Sequence, residues 1–130
     1  MKKSKLRQMI REVIEENKNY WPFPEGKTEI WYMSPKHFRD GIMGYDWCKE
    51  NDCLPDPKNL KKTHILLGTM QEDDLNKIFR TMQGERWSPQ GEARDKIKKL
   101  GLKHTSMSVG DVIKVGNKAW TIDNFGFKKL

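Results

Sequence analysis

HTSMSVGDVIKVGNKAWTIDNFGFKKL, residues 104–130, decides the fold. From Val109 to Val115 the β-branched residues Val109, Val112, Ile113 and Val115 favour an extended chain. Gly116-Asn117 then supplies the residue types that a tight hairpin turn demands, and Lys118 to Ile122 forms the returning strand. Asp123-Asn124 marks a second reversal, and Phe125 to Leu130 is a third strand. The chain thus closes as an antiparallel β-meander.

Upstream of it, Ser88-Pro89 reads as a helix cap followed by a first-turn proline, and Ala93, Ile97 and Leu100 carry that helix to Gly101, a residue suited to a left-handed C-cap. Leu75, Ile78, Phe79 and Met82 repeat at i, i+3, i+4, i+7, with Glu72, Asp73 and Asp74 matched to the positive end of the helix dipole. Thr63 to Met70 is a strand in which His64, Leu66 and Gly68 face one way and Ile65, Leu67 and Thr69 the other. Gly44 to Lys62, interrupted by Pro55 and Pro57, is a long excursion or a short helix with a loop. Ser34-Pro35 opens a short helix through Phe38 that stops by Gly41. Thr28 to Met33 is another strand, with Ile30 and Tyr32 on one face and Trp31 and Met33 on the other, and Tyr20 to Gly26 is an extended connection. Within residues 1–20, Leu6, Met9, Ile10, Val13 and Ile14 define an amphipathic helix whose early lysines oppose its dipole. The expected architecture is α+β: one domain over residues 1–130, a small antiparallel sheet with a C-terminal meander packed against three to four helices.

A chain of 130 residues suits one core, and five Trp, five Phe and three Tyr provide the apolar surface for it. No run of residues is long and apolar enough to span a bilayer, and two cysteines, Cys48 and Cys53, do not make a disulfide framework. These features lead us to expect a cytoplasmic protein without a membrane partner, its two thiols reduced. The 25 Lys and Arg against 18 Asp and Glu, a net charge of +7, nominate an acidic partner, with a solubilising surface as the competing explanation.

Five segments become specific in combination: Thr63-His-Ile-Leu-Leu-Gly-Thr69, the helix with Leu75, Ile78 and Phe79, His104 to Ile113, Trp120-Thr-Ile-Asp123 and Gly126-Phe-Lys-Lys-Leu130. Their order resembles the YodL-like domain family, over residues 62–130. Gly110 stands where that family usually has serine. The resemblance implies an accessory protein of a conjugative element or a phage, within the cytoplasm of the host cell, and it implies no particular activity.

His104, Ser106, Ser108 and Asp111 invite comparison with a nucleophile and its base. On a strand, however, Ser106 and Ser108 share a face, whereas a catalytic serine needs a base within hydrogen-bond reach and a third group to hold it. We therefore expect His104, Ser106, Ser108, Gly110 and Asp111, with Gly126 and Phe127, to be a structural motif that starts and fastens the meander. Cys48 and Cys53 with His37, His64 or His104 do not complete a zinc set at ligand spacing, and Glu72, Asp73 and Asp74 serve as dipole partners. No glycine-rich phosphate loop and no His-Glu-x-x-His segment occurs. No metal, no cofactor and no enzyme activity are expected; a small hydrolase or nuclease would need a convergent acid–base set that the sequence does not display.

Lysines remain. Lys58, Lys61 and Lys62 precede one strand, Lys96, Lys98, Lys99 and Lys103 follow one helix, and Lys128 and Lys129 end the chain. Brought together in space they would track a phosphate backbone, DNA or RNA, with Trp87 or Trp120 as a stacking face, although each Trp is more simply read as packing. The alternative is a host-protein partner, an enzyme or defence system inhibited or redirected, with Trp21 and Phe23 on an exposed segment and Trp47 as anchors.

Overall fold

The computed structural model describes residues 19–130, so the N-terminal amphipathic helix expected within residues 1–20 falls almost entirely outside the described residues. The chain order is β1 (Thr28–Met33), α1 (Pro35–Gly41), α2 (Tyr45–Glu50), a 3-10 turn at Leu60–Lys62, β2 (His64–Met70), α3 (Leu75–Thr81), α4 (Gly84–Trp87), α5 (Arg94–Lys99), β3 (Val112–Val115), β4 (Lys118–Ile122) and β5 (Phe127–Lys129). One five-stranded sheet runs β2-β1-β3-β4-β5 with every neighbouring pair antiparallel, and β3, β4 and β5 form the meander.

The sheet buries both faces, unequally. Ile30 and Tyr32 of β1, Ile113 of β3 and Ile122 of β4 meet Ile78 and Met82, Trp87, and Ala93 and Ile97 from the helical side. Complete burial of a side chain such as Ile78 stabilises the fold by about 2 kcal/mol. On the opposite face a smaller cluster joins Trp31, Val112 and Ala119 to Leu60 of the 3-10 turn, with Leu130 against it. The odd and even residues of β1 therefore serve different cores, as strand periodicity requires.

Strand β2 departs from the simple alternation expected for it. Ile30 pairs with Gly68 but Trp31 pairs with Leu66, so Leu67 is an extra residue, a bulge that reverses the parity of the strand. Ile65, Leu67 and Met70 consequently all reach the main core, and Leu66 is left 41% exposed. Thr69 presents a carbonyl at this sheet edge, and the Trp21 indole N–H donates to it at 2.7 Å. The indole lies flat across Gly68, where a Cβ would sit 2.5 Å from its ring.

One helix boundary also differs. The helix expected from Ser88 to Gly101 begins only at Arg94, as α5, because Gly91 adopts φ +82° and the Ser88 hydroxyl accepts the Ala93 N–H at 2.9 Å across the turn before it; α4 ends ahead of Ser88. At its end, Gly101 (φ +73°) closes α5: Leu102 N–H donates to the Ile97 carbonyl and Gly101 N–H to the Lys98 carbonyl, each at 3.0 Å, which is a Schellman cap. The described residues thus contain five short helices, α4 and α2 being the ones that the sequence did not separate from loop.

Candidate functional site

The segment 104–111 is a loop, so Ser106 and Ser108 lie on no strand and β3 begins at Val112 rather than at the expected Val109. Asp111 is the reason. Its carboxyl group is completely buried; Oδ1 accepts the Met33 N–H at 2.9 Å, and Oδ2 accepts the Ser108 N–H at 2.9 Å and His104 Nε2 at 3.0 Å. Burial raises its pKa, opposed by His104 and by the two backbone N–H groups. Gly110 makes the turn before it at φ +94°, where a Cβ would meet Met33 Sδ at 2.4 Å and the Gly41 carbonyl at 2.8 Å.

Around this carboxylate the other residues lock in turn. The His104 ring stacks on Tyr32 (4.8 Å between centroids, 10° between planes), and the Tyr32 hydroxyl donates to the Thr105 carbonyl at 2.7 Å. His64 Nε2 lies 2.7 Å from the Gly110 carbonyl, which only accepts, so this nitrogen carries the proton and Nδ1 accepts the Thr63 hydroxyl at 2.7 Å. Burial lowers the His64 pKa to about 4, with the Gly110 bond opposing and the nearby His37 ring assisting. Ser106 Oγ accepts the Gly84 N–H at 2.7 Å and so fixes the start of α4. His104 Nδ1 is buried without a hydrogen-bond partner. The serine pair and the His–Asp contact thus fasten β1, α4 and the meander together. Sequence reading found His104 and Asp111 but missed Met33 and His64, whose roles depend on chain-distant partners.

The aromatic candidates are repositioned. Trp87 is only 2% exposed, its indole N–H donating to the Thr105 carbonyl at 3.1 Å, and a base has no face of it to stack on. Trp21 and Phe23 are not an exposed segment: both are half-buried, in edge contact with each other at 5.0 Å, and Trp21 also meets Trp87 at 5.6 Å. Trp47 is half-buried on α2 and Trp120 half-buried on β4. A different apolar group is exposed instead. Ile42 (43%), Met43 (51%) and Phe125 (91%) flank a junction where the Tyr45 N–H donates to Asp123 Oδ1 at 3.2 Å.

The lysines do not form one surface. Lys58 and Lys61, with Lys114, border a cleft on the Trp31 and Leu60 side of the sheet, whereas α5 packs through Ile97 on the other side. Lys62, also exposed, lies in the 3-10 turn, and Lys128 and Lys129 are exposed on the edge strand β5, where charge discourages pairing with another chain. Lys96 is drawn inward: its ammonium sits 5.1 Å from the Trp21 ring centroid, and burial, with Lys99 adding repulsion, lowers its pKa. Lys99 Nζ reaches Asn19 Oδ1 at 3.5 Å.

Lys98 and Lys103 are both exposed and are brought together with Arg94 around a cleft of about 600 Å³. Its apolar floor includes Ile97 and Leu102; Ser88 and Thr105 add hydroxyl groups. Gly84, Gly91 and Gly101 keep its wall free of side chains, and no carboxylate lines it. Among the described residues the only ion pair within 4 Å is that of His104 and Asp111, so none of these three cations is in a salt bridge, and Arg94 also borders a neighbouring cleft that holds Glu92 and Asp95. The sequence signal for this cleft was the spacing of glycines through the α4–α5 region, which by itself reads only as turns. Among the described residues, no helix is long and apolar enough to cross a membrane. Comparison of the chain with known protein families, with curated proteins and with solved structures returned no match.

Proposed function

We propose that this protein is a non-catalytic accessory factor of a phage or other mobile genetic element that associates with nucleic acid through the Arg94–Lys98–Lys103 cleft. The observation that carries the reading is three cations, none in a salt bridge, around one glycine-walled cleft of about 600 Å³. Backbone phosphates release counterions on meeting such cations, and the affinity is then set by charge rather than by base identity. The mobile-element setting rests on the YodL-like resemblance of residues 62–130. His104 Nε2 is held by Asp111 and the half-buried Ser106 hydroxyl by the Gly84 N–H, an arrangement that supports a binding role over hydrolysis.

A labelled single-stranded oligonucleotide titrated with the full chain at several salt concentrations tests this. Binding that weakens steeply with salt is expected, and replacement of Arg94, Lys98 and Lys103 together by Gln is expected to make the logarithmic salt slope shallower by about 2. Binding that ignores both salt and the triple replacement contradicts the reading.

Ile42, Met43 and Phe125 favour a second reading, a protein-binding factor that inhibits or redirects a host enzyme or defence system, since aromatic side chains dominate the energetics of interfaces. A host protein retained after nuclease treatment by the native chain, and lost with Phe125→Ser, would select it.

A further inference from the structure

Residues Cys48 and Cys53 lie at the end of α2, in a turn that is the structural twin of the one closing α5. The Cys53 N–H donates to the Cys48 carbonyl at 2.8 Å and the Asp52 N–H faces the Lys49 carbonyl at 3.5 Å. Asp52, between them, has φ +54° and is the one described residue other than glycine with a positive φ. This is again the Schellman cap, and its geometry sets the third residue from the helix end against the second residue beyond it. In α5 those two places hold Ile97 and Leu102, which share the main core. In α2 they hold the two cysteines.

We propose that Cys48 and Cys53 form a dithiol modification site that closes to an intramolecular disulfide by exchange with a small-molecule disulfide. Both thiols are free in this structure, Cys48 buried and Cys53 partly exposed. Among the described residues they join no group of three or more metal-binding side chains, so the pair stands as a dithiol and not as part of a metal centre. The backbone hydrogen bond already brings the two residues side by side, so closure requires rotation of side chains rather than a change of fold.

The exposure difference assigns the order of events. Cys53, as its thiolate, attacks one sulfur of the small disulfide; a Cys53–sulfur bond forms, the small disulfide bond breaks, and one small thiolate leaves and takes up a proton. The Cys48 sulfur then attacks the Cys53 sulfur, and its proton goes to the second departing small thiolate. Two protein thiols are oxidised and one small disulfide is reduced to two thiols. Burial, with Cys53 next in effect, pushes the Cys48 thiol up to about 12, so this second step accelerates as pH rises.

The test uses the full chain with oxidised glutathione, quenched with acid and read by intact mass under non-reducing conditions. The expected product is lighter than the starting protein by two hydrogens, carries no glutathione, and reverts with reductant. Cys48→Ser is expected to stop at a glutathione adduct on Cys53, and Cys53→Ser to remain unmodified. A native chain that keeps two free thiols, or one that ends as a stable glutathione adduct, overturns the proposal; either result is read without any variant.

Discussion

Asp111 is a buried carboxylate with three donors, and its value to the fold lies in what its loss would strand. Asp111→Ala leaves the Met33 N–H and His104 Nε2 inside the protein without an acceptor. Removing one partner of such a buried network costs about 3 kcal/mol, which a urea titration of the variant would register as a lower midpoint. Glycines separate conformation from space. Gly110→Ala meets both a positive φ and a collision with Met33 and Gly41, whereas Gly126 (φ +73°) has nothing within 4 Å of an added Cβ. Gly126→Ala is expected to cost about 1 kcal/mol, the price of the left-handed conformation alone, and Gly110→Ala clearly more; equal midpoints for the two would contradict the packing described. His64 gives the pH dependence. Its pKa falls from 6.5 to about 4 on folding, so the unfolded chain binds the extra proton between those values; the stability is present above the ordinary value and lost as pH falls through the folded one. His37, lowered by burial, acts in the same direction, while Asp111, raised, acts in the opposite one. For His64 alone the expected loss between about pH 7.5 and about pH 5 is about 2 kcal/mol, measured from unfolding midpoints in the two buffers.

At the scale of elements, the meander, β1 and α3 were legible because local chemistry and tertiary packing agree in them. Gly116 is a turn residue at φ +60°, Ser34 and Pro35 begin α1, and Asp74 caps α3 by accepting the Lys77 N–H at 3.1 Å. What was not legible was decided by distant partners. The bulge at Leu67 follows from pairing with β1, and the late start of β3, at Val112 rather than Val109, follows from the bond between Asp111 and Met33. The aromatic segment misled for a related reason: Trp21 and Phe23 look exposed beside two prolines and flanking lysines, but the edge of β2 offers a carbonyl and a glycine that together accept an indole. In α5 the alternation of lysines separates two environments. Lys98 lines the cleft and Lys96 covers Trp21, so Lys98→Gln is expected to weaken oligonucleotide binding severalfold with little change in the unfolding midpoint, and Lys96→Gln to do the reverse. The two variants compared side by side in both assays check this assignment.

The whole molecule is organised as a sheet with a heavy helical side and a light opposite side, and its lysines are divided between them. The net charge of +7 was readable from composition, but composition gave no means of knowing that the groups would separate and that Arg94, absent from the lysine clusters, would join Lys98 and Lys103 around one cleft. The latch around Asp111 reaches that surface through Thr105, whose carbonyl accepts from both Tyr32 and Trp87, and through Gly84, whose N–H donates to the Ser106 hydroxyl; both border the cleft. Architecture and candidate site therefore meet at these two residues. The most direct test of the account is the salt dependence of oligonucleotide binding by the native chain beside the variant with Arg94, Lys98 and Lys103 replaced by Gln. The account predicts a steep slope for the first and one shallower by about 2 for the second, at unchanged stability; identical slopes, or no binding by the native chain at low salt, would contradict it.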